Sequence, residues 1–385
     1  MANALKLFIL AGEPSGDRLA ADLVARLRQR VPLELTGVGG DELRALGLTP
    51  LYPMADLAVM GISDVLRRLP LLLWRVEQTA RAIRAGRPDI VVLVDAQDFS
   101  KLVARRLKAL GYPGTVILYV APTVWARAPG RAAKLKPLFD EVLAVLPFEP
   151  AIMQKLGAPP TSYVGHPALA EGLVHEEGPD RGPLMLLPGS REGELRRHLP
   201  LFRAVVGALA GHSAIDGVVI PTLPALKHRI EAAVADWPVP VSVVDARAER
   251  SALYGRAIAA LSVAGTATLE LALARVPMVV SYVMDSHQAR AFDKLGRPLV
   301  SLPNIIVGRA AVAELVQAPG SIDAGEITAS LRALLDNKKA RQDQIAVFGE
   351  LGRLMESGEA DFPRQDPADR VLSHWSGRQR LSTDL

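Results

Sequence analysis

The chain contains no cysteine. Disulfides, thiolate metal sites and cysteine nucleophiles are therefore excluded together. No HExxH spacing links any of the seven histidines, and the first strand-to-helix turn is not GxGxxG, so neither a zincin-type metal site nor a dinucleotide is indicated. No apolar run approaches the roughly 18 to 20 residues needed to cross a bilayer. One sign of charge does not dominate either: 45 basic residues face 41 acidic ones. A surplus that small implies no nucleic-acid footprint, although it would repel neither an anionic membrane nor a phosphorylated substrate. The start, Met1 to Leu10, resembles a signal peptide only until Glu13 and Asp17, and it reads better as a first buried strand. The expectation is a cytoplasmic protein whose membrane contact, if any, is peripheral.

What is present is an ample supply of core. At 385 residues and 49% hydrophobic composition, two domains are expected rather than one. Strand-then-turn-then-helix grammar recurs along the chain, which predicts an α/β fold of two doubly wound, Rossmann-like parallel sheets facing a cleft. Residues 1–175 form the first expected domain and 184–355 the second. Glu176 to Pro183, polar and broken by Gly and Pro, reads as the linker. The tail 356–385 has a short helical pattern around Val371, Leu372 and Trp375, and is expected to fold back on the first domain or on a partner subunit.

Ligands of open α/β sheets gather at the carboxyl ends of strands, so those ends supply the candidates. In the first half, Ala11 to Asp17 follows the opening strand. Glu13, Ser15 and Asp17 are placed to hold a polyhydroxylated ligand over a helix N-terminus, and Ser15 and Asp17 serve equally well as caps. Ile90 to Val94 ends in Asp95-Ala96-Gln97-Asp98. One aspartate is enough to cap the helix from Phe99, which leaves the other for chemistry. Asp89, before that strand, looks structural, and so does His166.

Between these strands lies Leu57 to Trp74. Ile62, Val65, Leu66 and Leu69 fall at helical spacing, after which Leu71, Leu72, Leu73 and Trp74 continue without a polar face. Arg67, Arg68 and Arg75 flank the segment. It is a core helix, or else an apolar surface that meets a membrane or acyl chains with arginines against anionic headgroups.

In the second half Leu184 to Leu187 ends in Pro188-Gly189-Ser190-Arg191. Glycine lets backbone approach a ligand, the turn's N–H groups and Ser190 can donate, and Arg191 offers a planar fork to phosphate oxygens. Gly265, Thr266 and Ala267 open a helix whose free N–H groups suit a diphosphate. One turn in, Glu270 can accept from a ribose diol. Asn304, in Ser301-Leu302-Pro303-Asn304, is expected in a rigid loop with its amide free to address a base, a phosphate or a sugar.

In this order the stretches AGEPSGD (11–17), LAVMGISDVL (57–66), VDAQDFS (94–100), LLPGSREGEL (186–195), AGTATLELAL (264–273) and SLPNIIVGR (301–309) resemble the lipid-A-disaccharide synthase family. The resemblance runs from Leu7 to about Gly308. It implies an inverting glycosyltransferase of the two-domain GT-B type, in which 2,3-diacylglucosamine passes from its UDP derivative to the 6-hydroxyl of 2,3-diacylglucosamine 1-phosphate without a metal or other cofactor. Carried over by motif, its functional positions match Glu13, Asp89, Asp98, Arg191 and Asn304. Asp98 then becomes the expected base, with Glu13 positioning the acceptor or sharing that role, and Asp95 among the acceptor-binding residues. Arg191 neutralises the departing diphosphate, and the Tyr282 to Met284 backbone meets uracil.

The chain departs from the family pattern at Ala264, Ser100 and Trp125-Ala126-Arg127. The resemblance adds weight to a membrane role for residues 57–74, and it leaves room for a homodimer. The rivals are a UDP-GlcNAc epimerase or peptidoglycan glycosyltransferase of the same architecture, and a non-catalytic two-lobed binding protein.

Overall fold

The computed structural model describes residues 4–57, 62–123, 129–171, 178–245, 252–318 and 322–383. Parts of the expected acyl segment and the Trp125-Ala126-Arg127 departure lie outside them. The chain divides into two compact units, Met1–Pro167 with Ser357–Leu385, and Ala168–Glu356. The division thus falls at Pro167, earlier than the polar stretch read as a linker. Gly182 and Pro183 already belong to a strand, and Asp180 is paired with Lys338 and Arg341 of the second unit.

In the first unit six strands run parallel: β1 (Leu5–Ala11), β2 (Leu33–Val38), β3 (Ile90–Val94), β4 (Thr115–Tyr119), β5 (Glu141–Ala144) and β6 (Thr161–Tyr163). Their order is β2-β1-β3-β4-β5-β6. β3 and β4 are buried at every residue, as central strands covered by helices on both faces must be. The order reverses between β1 and β3, and that crevice is where such sheets bind ligands. Four helices matter here: α1 (Pro14–Arg28), α2 (Asp41–Ala45), α3 (Ile62–Gly86) and α4 (Gln97–Ala109).

α3 absorbs most of the apolar segment and continues through Pro70. Leu72 and Val76 turn to the core. Leu69, Leu73 and Trp74 remain 40%, 50% and 55% exposed, so the helix is not wholly a core element.

The second sheet holds β7 (Gly182–Leu187), β8 (Ile215–Thr222), β9 (Val241–Asp245), β10 (Ala259–Ser262), β11 (Met278–Val283) and β12 (Ala313–Gln317). Its order is β12-β11-β10-β7-β8-β9, with the reversal between β7 and β10. Leu186, Phe202, Val205, Leu261 and Leu331 lie in its core.

The C-terminal segment returns to the first unit. The helix Pro367–Thr383 brings Arg370 and His374 to the buried Glu141 at 2.8 and 2.7 Å. Arg26 of α1 holds Asp366 at 2.9 Å. Burial opposes ionisation of Glu141, but hydrogen bonds from His374, Arg370 and Ser162 bring its pKa below the usual value.

Candidate active site

At the reversal in the first sheet two turns meet. Gly12 leaves β1, and a Cβ there would stand 2.7 Å from the Cβ of Ala96 in the turn after β3. Only bare backbone fits. Glu13 follows as the extended N-cap of α1; its side chain makes no capping bond and is exposed. Across from it, Asp95 and Ala96 both take left-handed backbone, at φ 53° and 42°. Two consecutive residues with a Cβ in that region are strained, a condition that clusters at functional sites. The turn is over-determined: Asp95 N–H donates to Tyr119 O at 2.8 Å and Ser100 Oγ to Asp95 O at 2.8 Å. Gln97 Nε2 donates to Val120 O at 2.8 Å.

This geometry sorts the carboxylates. Asp95 is half-buried, and burial together with the nearby charge of Glu13 raises its pKa. Asp98, expected as the base, lies in the first turn of α4 with its side chain 95% exposed and paired to Lys101 at 2.7 Å. The reversal therefore sets the half-buried Asp95 in the field of Glu13, while Asp98 stands on the exposed first turn of α4.

The Asp17 carboxylate is engaged within the fold. It is buried and accepts from Gly40 N–H at 2.8 Å and Glu42 N–H at 2.9 Å, capping α2 from across the fold. Asp89, just before β3, accepts from Lys6 N–H of the neighbouring β1 at 2.9 Å. Ser15 is exposed on the first turn of α1. His166 is pushed down to about 4 by burial.

In the second unit the reversal opens into a cavity of about 450 Å³ whose lining includes Ser190, Arg191, Tyr254, Gly265, Thr266 and Glu270. The helix Thr266–Leu273 points its N-terminus there, with Gly265 as an extended N-cap. Its first N–H groups have no partner within the helix. Thr268 turns inward, its Oγ1 donating to Gly265 O at 2.7 Å, so it caps none of the free N–H groups. Glu270 receives Tyr254 OH at 3.4 Å.

Arg191 is the N-cap of the helix Glu192–Ala208, and its side chain is 83% exposed. The turn beside it differs from expectation. Glu194 Oε2 accepts from Ser190 N–H at 3.1 Å and Arg191 N–H at 3.2 Å. Those donors are spent on the protein's own carboxylate in a capping-box arrangement. The Arg191 guanidinium, 3.2 Å from Glu194 Oε1, still reaches the cavity. Gly189, at φ +100°, leaves room for Glu194, since a Cβ would stand 2.4 Å from Oε2.

Two further expectations are corrected. Asn304 lies in a short helix, Leu302–Val307, and is fully buried. Its Nδ2 donates to Val312 O at 2.8 Å and Glu314 at 2.7 Å, and its Oδ1 accepts from Ala311 and Val312 N–H, both at 2.8 Å. No amide atom is left to address a ligand. Glu314, which no motif singled out, ties the same turn through Val300 N–H, Ser301 N–H and Ser301 Oγ.

In the Tyr282 to Met284 backbone the donors of Val283 and Met284 are likewise spent. Val283 N–H goes to His198 Nε2 at 2.9 Å and Met284 N–H to Gln317 O at 3.0 Å. Neither Tyr282 nor Met284 is among the residues lining the reversal cavity. His198, also unforeseen, is buried with Nδ1 2.8 Å from Glu194 O. Nε2 accepts a backbone N–H, so the ring is neutral with its proton on Nδ1. Burial lowers its pKa accordingly.

A pair of doubly wound sheets, each with its reversal at a ligand-type turn, defines the class. The fold is that of two-domain GT-B glycosyltransferases and their structural kin. Among solved structures, the S. aureus MnaA–UDP co-structure matches with TM-score 0.62 at 11% identity, over 98% of this chain and 97% of that one. The calicheamicin glycosyltransferase CalG4 gives 0.55 at 18%, over 98% and 99%. Acinetobacter baumannii MurG gives 0.53 at 14%, over 92% and 99%. At these identities the likeness establishes the fold alone.

Sequence goes further. The family model described as lipid-A-disaccharide synthetase matches residues 7–362. The lipid-A-disaccharide synthase of Rhodospirillum centenum is 39% identical over 382 residues, 96% of this chain and 94% of that protein. That of Rhodopseudomonas palustris BisB18 is 38% identical over 378 residues, 95% of each. The chain belongs to the lipid-A-disaccharide synthetase family, and it is accordingly a glycosyltransferase of lipid A biosynthesis.

Proposed function

We propose that the chain transfers 2,3-diacylglucosamine from its UDP derivative to the 6-hydroxyl of 2,3-diacylglucosamine 1-phosphate, with the acceptor at the first reversal and UDP at the second. The half-buried Asp95, fixed on a left-handed turn against the start of α1 and within the field of Glu13, is the observation that carries the acceptor half. A carboxylate whose pKa is raised is a stronger base than a free one, and it stands where a hydroxyl would be held. Asp95 takes the proton, and the alkoxide oxygen bonds to the anomeric carbon. The bond from that carbon to the UDP oxygen breaks on the opposite face, inverting its configuration. Arg191 and the N–H groups of Thr266 and Ala267 receive the charge that grows on the departing diphosphate. Glu270 takes the ribose. No step is routed through a metal ion.

The exposed Leu69, Leu73 and Trp74 of α3 are assigned to the acyl chains or to the inner face of a membrane, which makes the enzyme peripheral. None of the described helices is long and apolar enough to cross a bilayer. Replacing both Leu73 and Trp74 with Ser is expected to lower co-sedimentation with anionic vesicles while leaving the melting temperature nearly unchanged.

The deciding experiment supplies the two lipid substrates to purified protein and follows disaccharide and UDP. Asp95→Asn is expected to lose turnover while UDP binding by calorimetry is retained. Retained turnover in Asp95→Asn, with loss in Asp98→Asn, would return the base to Asp98. Robust consumption of water-soluble UDP-GlcNAc would favour the epimerase-like rival.

A further inference from the structure

Charge at the second reversal does not match its proposed occupant. The occupant is a diphosphate, yet among the described residues the cavity is lined by two carboxylates, Glu194 and Glu270, against one cation, Arg191. Glu270 is assigned to the ribose. Glu194 has no such partner on the ligand, and a carboxylate beside a polyanion opposes its binding.

Glu194 is held in the cavity wall from three sides. Its side chain is 12% exposed. Oε2 accepts from the backbone N–H groups of Ser190 and Arg191, and Oε1 lies 3.2 Å from the Arg191 guanidinium. These are the donors that an anion-binding turn gives to a phosphate, so Glu194 stands there as an internal anion. The main chain makes room for it, because Gly189 takes φ +100° and a Cβ there would stand 2.4 Å from Oε2. His198 fixes the same turn of helix to β11: Nδ1 donates to Glu194 O at 2.8 Å, and Nε2 accepts from Val283 N–H at 2.9 Å.

The contacts of this carboxylate differ in strength. Backbone N–H bonds to a largely buried carboxylate are charge-assisted and costly to break. The contact with Arg191 involves a guanidinium that is 83% exposed, and ion pairs of that kind contribute little. An arriving phosphate therefore takes the guanidinium and leaves the carboxylate in place.

We propose that Glu194 sets how tightly the site holds a nucleotide: it stays on the turn as a fixed negative charge, competes for Arg191, and opposes each further charge on the ligand. The inference rests on the reading that UDP occupies this cavity. When the bond from the anomeric carbon to the diphosphate breaks, its electron pair stays on the terminal phosphate, so UDP carries more negative charge than the donor it came from. A fixed carboxylate accordingly disfavours product more than substrate, and it eases the release of UDP.

Calorimetric titration of the full-length protein and of Glu194→Gln with UDP, UMP and uridine, at constant ionic strength, tests it. Glutamine keeps an oxygen for the two backbone N–H groups and removes the charge. The expected result is UDP tightened about fivefold, UMP about twofold and uridine unchanged, the range of one partly exposed charge pair. An equal change for all three ligands would mark a structural role and overturn the proposal, as would UDP held no more tightly by the variant. Should Glu194→Gln fail to fold, Glu194→Ala carries the same series, because the order across the three ligands reads charge. If UDP does not bind the parent protein, the nucleotide site itself is misplaced and the inference falls with it. Binding to the parent with an unchanged series in the variant sinks this inference alone.

Discussion

At the reversal of the first sheet a half-buried carboxylate, Asp95, lies in the field of the exposed Glu13, and the strain is carried by residues that have side chains: Asp95 at φ 53° and Ala96 at φ 42°. At the reversal of the second sheet the distinctive charge is the Arg191 guanidinium, and the unusual backbone falls on glycine, Gly189 at φ +100°. Strand order differs as well. The first sheet reverses after two strands on one side, and the second after three. One architecture thus hosts opposite electrostatics. In the first, burial and a like charge raise the pKa of Asp95. In the second, a helix N-terminus and an arginine line the cavity.

The contrast is broken most directly at its two poles. Asp95→Asn should cut turnover by about 10² to 10⁴, the usual worth of a positioned general base, while Asp98→Asn stays within a few-fold. Steady-state kinetics on both variants would read the difference, and parity between them would erase the distinction drawn here. Arg191→Ala should lower kcat by about 10² to 10³, as removal of one charge-stabilising donor does elsewhere, and should weaken UDP as well. If Arg191→Ala left both untouched, the second reversal would not be the diphosphate site.

Gly189→Ala sharpens the comparison of strain. The new Cβ meets Glu194 and takes an unfavourable φ together, so about 1 to 3 kcal/mol of stability should be lost in chemical denaturation. The smallest effect is on acid stability. His198 is held neutral in the fold, with its pKa below the ordinary value. The unfolded chain therefore binds the proton first, at about pH 6.5. Stability is complete above that pH and declines as pH falls below it. Denaturation midpoints at pH 7.5 and 5.5 would show the decline. Nitrogen NMR should find the Nδ1–H tautomer at neutral pH.

Much of this was legible in the amino-acid order, because buried parallel strands write themselves as continuous apolar runs. Ile90 to Val94 and Leu184 to Leu187 needed no further context. β12 was not read as a strand. It sits at a sheet edge, is only partly buried over most of its length, and carries Glu314 in place of an apolar residue.

The site was legible as a set of turns but not in its assignments. Asp95 and Asp98 are three residues apart, and which one faces the crevice is decided by a left-handed turn that no glycine announces. Asp17 and Asn304 looked like ligand groups because their partners, Gly40 and Glu42 for one and Ala311 to Glu314 for the other, lie in different elements. Glu194 is the converse case. Its bonds to Ser190 and Arg191 are local, of the kind a capping box announces.

The return of the last helix to the first unit has a temporal meaning. During synthesis residues 168–356 emerge as one uninterrupted stretch and can complete their sheet while the earlier half is still missing Arg370 and His374. Until those two arrive, Glu141 is a carboxylate at a sheet position with no cation to meet it. Chains growing on a ribosome should therefore finish the second unit before the first becomes resistant to protease, although most of the first is made earlier.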